Sequence, residues 1–114
     1  MKIIITGSRD YKGNVEDAKW LESKLNYYHC TELVHGGATG VDSFGAFVAS
    51  KMGIPTKAFD ADWNTYDPSA GPKRNEEMAL YGDMLIAFKG NKGTLNMINQ
   101  AKKHKRPIIY RDTK

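Results

Sequence analysis

Three consecutive isoleucines, Ile3-Ile4-Ile5, form an uninterrupted β-branched run between Lys2 and Thr6. A strand with one face in water alternates apolar and polar side chains. A strand without that alternation is apolar on both faces and fits a parallel sheet covered on both sides. Residues 84–88, Met-Leu-Ile-Ala-Phe, repeat the pattern. Shorter strand-like runs occupy 31–35, 54–59 and 108–110, and Pro55 places the second of these at a sheet edge. Between the runs the apolar spacing changes to three or four. Asn14 reads as an N-cap, with Glu16 and Asp17 in the first turn, and Val15, Ala18, Leu21, Leu25 and Tyr28 make one helical face. Val41, Phe44, Val48 and Met52 make a second, stopped by Gly53. A short helix is expected over 74–81, ending at Gly82. A last one, carrying Leu95, Ile98 and Ala101, runs into the basic stretch Lys102-Lys103-His104-Lys105-Arg106 before Pro107. Strands that alternate with helices imply right-handed crossovers and a mostly parallel, five-stranded sheet with helices on both faces, an α/β sandwich.

With 114 residues, 40% hydrophobic and 26% charged, the chain fits one packed domain over 1–114. No apolar run approaches the ~18 residues of a membrane span, and the Met-Lys start followed by three isoleucines does not read as a signal peptide. The single cysteine, Cys30, has no internal disulfide partner, so the expected compartment is the cytoplasm. A net charge of +4 permits an anionic ligand or nucleic acid without requiring either.

In such sheets ligands bind beyond the C-terminal strand ends, where strand order reverses. Three unusual turns follow strands: Gly7-Ser8-Arg9-Asp10, Gly36-Gly37-Ala38-Thr39-Gly40, and Gly90 to Thr94. They fall on one edge. The glycines at 36, 37 and 40 suit a phosphate cradle of bare N–H groups at a helix start, with Thr39 as a further hydroxyl donor, although a plain strand-to-helix turn has the same composition. Gly90, Gly93 and Thr94 mirror that cradle, with Thr94 at an expected N-cap. Ser8 and Arg9 sit where a hydroxyl and a guanidinium reach a phosphate or ribose. Asp42 either accepts from a ribose hydroxyl or caps backbone N–H groups. The long stretch 60–73 holds Asp62 and Trp63, the latter placed to stack on a base or to fold onto the core. Arg74 and Asn75 begin the expected helix after it and make a second anion site.

Other chemistries lack their residues. No Gly-x-x-x-x-Gly-Lys-Ser/Thr is present, and the first turn lacks Gly-x-Gly-x-x-Gly. His29, His35 and His104 have no metal spacing, so neither metal nor cofactor is expected. The run 102–106 resembles a nucleic-acid patch, yet cations at a helix C-terminus also offset its dipole.

Taken together, Ile5-Thr6-Gly7-Ser8-Arg9, His35-Gly36-Gly37-Ala38, Gly40-Val41-Asp42, Ala61-Asp62-Trp63, Ala70 to Asn75 with Met78, and the turn from Gly90 to Thr94 resemble the YspA-like branch of the SLOG superfamily. The resemblance implies a Rossmann-like three-layer fold related to the DNA-processing protein DprA and to the lysine-decarboxylase-like phosphoribohydrolases. It also implies a nucleotide-derived ligand, such as an ADP-ribose type compound, over the glycine turns. Small members occur in bacteria and phages, and related domains pair, so a homo-oligomer is expected. The chain departs from the phosphoribohydrolase pattern Gly-Gly-x-Gly-Thr-x-x-Glu: Asn91 replaces a glycine and Met97 the glutamate. A methionine neither steadies an oxocarbenium-like centre nor activates water. The leading expectation is therefore a sensor or sequestering protein for an adenosine- or ribose-phosphate compound. The alternatives are a nucleotide N-glycosidase using Asp42 or Asp62, and a single-stranded nucleic-acid-binding module.

Overall fold

The structure is a computed structural model that describes residues 1–61 and 69–111. Its elements run β1 (Lys2–Thr6), α1 (Val15–Tyr27), β2 (Glu32–His35), α2 (Val41–Lys51), β3 (Thr56–Ala58), α3 (Ala70–Tyr81), β4 (Met84–Phe88), α4 (Lys92–Lys103) and β5 (Ile108–Arg111). The fold is α/β. One five-stranded sheet has the order β3-β2-β1-β4-β5, and every pairing is parallel.

The isoleucine run explains the layers. Side chains alternate across a strand. Ile3 and Ile5 enter one cluster with Leu21, Leu25, Val41 and Val48 from α1 and α2. Ile4 enters the other with Met78, Ala79, Met97 and Ala101 from α3 and α4. Three adjacent residues thus fill two cores, and all three are wholly buried. The chain winds outward from β1 through β2 to β3, then returns to the other side of β1 for β4. The strand order therefore reverses between β1 and β4.

Several expectations need correction. Val15 is 69% exposed and Leu95 58% exposed; Asp17 is buried instead on α1, and Met97 on α4. The stretch 60–73 is not wholly irregular, because α3 begins at Ala70 and takes Gly71 and Pro72 into its first turn. Proline is tolerated there, since its missing N–H would have no intrahelical partner. Glycine is not needed to end every helix. His29 and Lys105 adopt positive φ after α1 and α4, as Gly53 does after α2. Cys30 N–H and Arg106 N–H then return to the carbonyls of Leu25 and Ala101 at 2.9 and 2.8 Å.

Candidate functional site

The loops after β1, β2 and β4 are stitched together at the switch point. Ser8 N–H donates to Lys89 O and Val41 N–H to Ser8 O, both at 3.0 Å. The Thr39 hydroxyl donates to Arg9 O at 3.1 Å, and Ser8 Oγ accepts from Asp10 N–H at 3.0 Å. The glycines permit this closeness. A Cβ on Gly40 would lie 2.1 Å from Ser8 O, and one on Gly7 2.5 Å from Val41 Cγ2. One on Gly90 would lie 2.0 Å from Thr94 Oγ1.

Gly36 makes room for a cation. Its Cβ would fall 2.4 Å from an Arg74 guanidinium nitrogen, which donates to Gly36 O at 2.7 Å and Phe59 O at 3.2 Å. Arg74 Nε donates to Asn75 Oδ1 at 2.9 Å. Buried Asn75 donates in turn to Asn96 Oδ1 at 3.0 Å and Gly93 O at 3.3 Å. Arg74 and Asn75 therefore lie in the second turn of α3, not at its start, and the expected helix-start anion site is replaced by a guanidinium fixed from three sides. Burial lowers the Arg74 pKa and the nearby Asp42 charge opposes that shift. An arginine stays charged under such a shift.

Asp42, in the first turn of α2, is only 8% exposed. Its Oδ2 accepts from Gly36 N–H at 2.9 Å and Ala38 N–H at 3.3 Å. Gly37, at φ +73, donates its N–H to His35 Nδ1 at 3.0 Å. Of the glycines expected to cradle a phosphate, Gly36 and Gly37 thus already donate their N–H groups inside the protein, as does Ala38. Burial pushes the Asp42 carboxyl pKa up, against the two backbone bonds. At α4, Asn91 and not Thr94 is the N-cap, its Oδ1 accepting from Gly93 N–H at 3.2 Å. Gly93 and Thr94 lie inside the helix, and Thr94 is buried.

What remains open is a cleft of about 420 Å³ lined by Arg9, Gly36, Thr39, Asp60, Ala61 and Arg74, among others. A neighbouring pocket of about 220 Å³ shares Arg9 and Arg74 and adds Lys92 and Asn96. Arg9 is exposed, and its guanidinium has no partner among the described residues. Asp62 and Trp63 lie outside the described residues. Asp60, Asn91 and Thr6 line the site without having been among the expected ligand-binding residues. Thr6, the one hydroxyl residue in β1 and the polar residue that ends its isoleucine run, carried a readable signal at the C-terminal end of the strand. Among the described residues, no three His, Cys, Asp or Glu side chains gather as a metal site. No helix of these residues is long and apolar enough to cross a membrane.

Residues 1–66 match the model of the YspA, cpYpsA-related SLOG family. The chain belongs to that family. No curated protein matches it. The SLOG fold recurs in DNA processing protein A from Streptococcus pneumoniae at a TM-score of 0.76 and 18% identity, covering 99% of this chain and 50% of that one. The chain thus spans half the length of that structure. The structural-genomics target TM1055 matches at 0.73 and 18%, covering 94% and 71%. DNA processing protein A from Helicobacter pylori, described by its single-stranded DNA binding mode, matches at 0.73 and 16%, covering 100% and 66%. Within the SLOG fold of this chain, Met97 is wholly buried in the α3–α4 core. The position expected to lack a catalytic glutamate therefore faces apolar side chains.

Proposed function

We propose that this chain is a single-domain nucleotide-binding protein, which takes a phosphate-bearing ribonucleotide compound into the cleft lined by the loops after β1 and β2, the segment after β3 and Arg74 of α3, and acts as a sensor or sequestering protein. The observation that carries the reading is that Arg9 and Arg74 both line a cleft of about 420 Å³ at the C-terminal edge of the sheet, beside its switch point. That volume lies in the range of small-ligand sites, and such crevices are where open α/β sheets bind nucleotides. Arg9 is the exposed anchor, unpartnered among the described residues; Arg74 is the fixed one. Family membership and the fold support the same reading. Gly7, Gly93 and Thr94 line the adjoining recess, and Asp62 with Trp63 would close over the sugar or base.

Proton NMR of AMP, ADP-ribose and NAD mixed with the protein tests this. Broadening of one compound's signals without new products supports binding. New free-base or free-ribose signals would instead indicate N-glycosidic hydrolysis and direct attention to Asp42 and Asp62. Arg9→Ala should keep the thermal stability of the parent and weaken binding by about 1.5–3 kcal/mol, the worth of a charge-assisted hydrogen bond. Unchanged affinity in that variant removes Arg9 from the site.

A second reading, single-stranded nucleic acid, is favoured by the likeness to a protein described by its single-stranded DNA binding mode. The basic run does not help it. Lys103 and His104 both reach Glu76, at 2.9 and 3.0 Å, and Arg106 Nε donates to Ala79 O at 2.7 Å. The run also sits at the C-terminal end of α4, away from the cleft at its N-terminal end. Fluorescence anisotropy with a labelled oligonucleotide at low salt separates the two readings.

A further inference from the structure

Below the main cleft a recess of about 50 Å³ lies between Thr6, Asp42, Arg74, Asn75 and Thr94. Three of its polar groups are left incomplete. Asp42 Oδ2 caps the 36–38 loop, but no described residue donates to Oδ1, in a residue only 8% exposed. Thr6 and Thr94 are 9% and 5% exposed, and neither hydroxyl has a partner among the described residues. By strand alternation Thr6 stands on the same face as Ile4, toward α3 and α4, where Asn75 and Thr94 belong. These three are not among the fully buried unpartnered atoms and so open onto the recess, where a ligand that completes them replaces the hydrogen bonds of water.

The chemistry of the set narrows the ligand. A carboxylate accepts only, so the incoming group must donate. A phosphoryl oxygen donates nothing and is repelled by the carboxylate. An exocyclic amine donates but brings a planar ring, and the recess has room for roughly two or three water-sized groups. A pair of hydroxyls fits: each donates to Asp42 and accepts from a threonine hydroxyl or from Arg74. We infer that this recess takes the vicinal 2′,3′-diol of a ribose, so that the cleft selects ribonucleotides over deoxyribonucleotides. The inference rests on the proposed nucleotide reading and adds the sugar to it. It also sets this chain apart from a DNA-binding use of the same fold.

The test compares the four ribonucleoside monophosphates with their 2′-deoxy counterparts by titration calorimetry. The best-bound ribonucleotide should exceed its deoxy counterpart by roughly ten- to hundredfold, since the deoxy compound leaves a buried charge short of a hydrogen bond. Asp42→Asn keeps an oxygen for Gly36 and Ala38 N–H but turns an NH₂ into the recess, so the ribo-to-deoxy ratio should collapse toward one. Thr6→Val, nearly isosteric in a strand, should narrow the ratio without touching the loop cap, and serves if Asp42→Asn fails to fold. Equal affinity for ribo and deoxy compounds in the parent overturns this inference and leaves the nucleotide site standing. An unchanged ratio in both variants overturns the assignment to this recess. Failure of all eight compounds, and of ADP-ribose and NAD, to bind overturns the nucleotide reading and this inference with it.

Discussion

Asp17 shows what one residue can do in this fold that its neighbours in sequence do not announce. Its carboxylate, 3% exposed, accepts from the Tyr11 hydroxyl, from Asn14 Nδ2 at 3.0 Å and from Arg111 Nε at 2.9 Å. Burial alone would raise its pKa; the bonds from Tyr11, Arg111 and Asn14 together outweigh burial and hold it below the ordinary value. Burial and the same carboxylate push the Tyr11 phenol up. The Arg111 guanidinium also lies 5.0 Å from the Trp20 ring centroid. This cluster ties the last described strand to the start of α1 and to the loop that carries Arg9. Removing one partner of a buried pair leaves the other uncompensated, so Asp17→Asn should lower stability by about 3 kcal/mol at pH 7 in urea unfolding. The unfolded carboxyl titrates near ~3.9 and the folded one lower. The pair's contribution is therefore present above about pH 4 and is lost as pH falls through the folded value. The gap between parent and variant should shrink in unfolding at pH 3, and a constant gap would show that the charge is not what stabilises the cluster.

At the level of elements, what could be read depended on how local the signal was. β1 and β4 fall where expected because strands apolar on both faces need no partner to be recognised. Asn14 was readable as a cap because Asp17 N–H, three residues on, completes the motif at 2.8 Å. The start of α4 was not, because Asn91, Gly93 and Thr94 are all cap or turn formers, and only the three-dimensional path shows that the helix begins before Gly93. Likewise Gly71-Pro72 reads as loop, while Ala70 to Asn75 is helical. The site was legible as an edge, in the three glycine turns, and illegible as chemistry. Gly36 serves Arg74 from 38 residues away, and the loop's N–H groups serve Asp42. Asn91→Ala should cost about 1 kcal/mol in urea unfolding, as loss of an N-cap does. Gly40→Ala should cost about 1–3 kcal/mol for its φ of +75 alone, and more because the new methyl meets backbone at Ser8 and Arg9. A Gly40→Ala protein as stable as the parent would mean that the β1 and β2 loops are not packed as described.

On the scale of the whole molecule, the charge distribution gives the proposed nucleotide and a polymer different expected salt dependences. The cleft edge offers Arg9, Arg74 and Lys92, with Asp42 and Asp60 among them. Lys103, His104 and Arg106 are engaged at the far end of α4 and cannot extend a track from the cleft. Arg74 is held by backbone carbonyls, so its charge is shared with the protein before any ligand arrives. On the proposed reading a ligand here neutralises about two phosphate charges, not a run of them. For single strands the logarithm of affinity falls by about 0.7 per phosphate contact for each decade of salt, so two contacts give roughly a sevenfold loss between 50 and 200 mM. A small nucleotide in this cleft should show a loss of that order or less, measured as its dissociation constant across a potassium chloride series. A loss of about a hundredfold or more would require four to five phosphate contacts. Arg9 and Arg74 alone cannot supply them, and the binding surface would then have to run beyond the cleft along an exposed face of the domain. The whole-molecule measurement thus bears on the residue-level assignment. On the proposed reading two arginines set the shallow slope, and the removal of one of them sets the expected loss in Arg9→Ala.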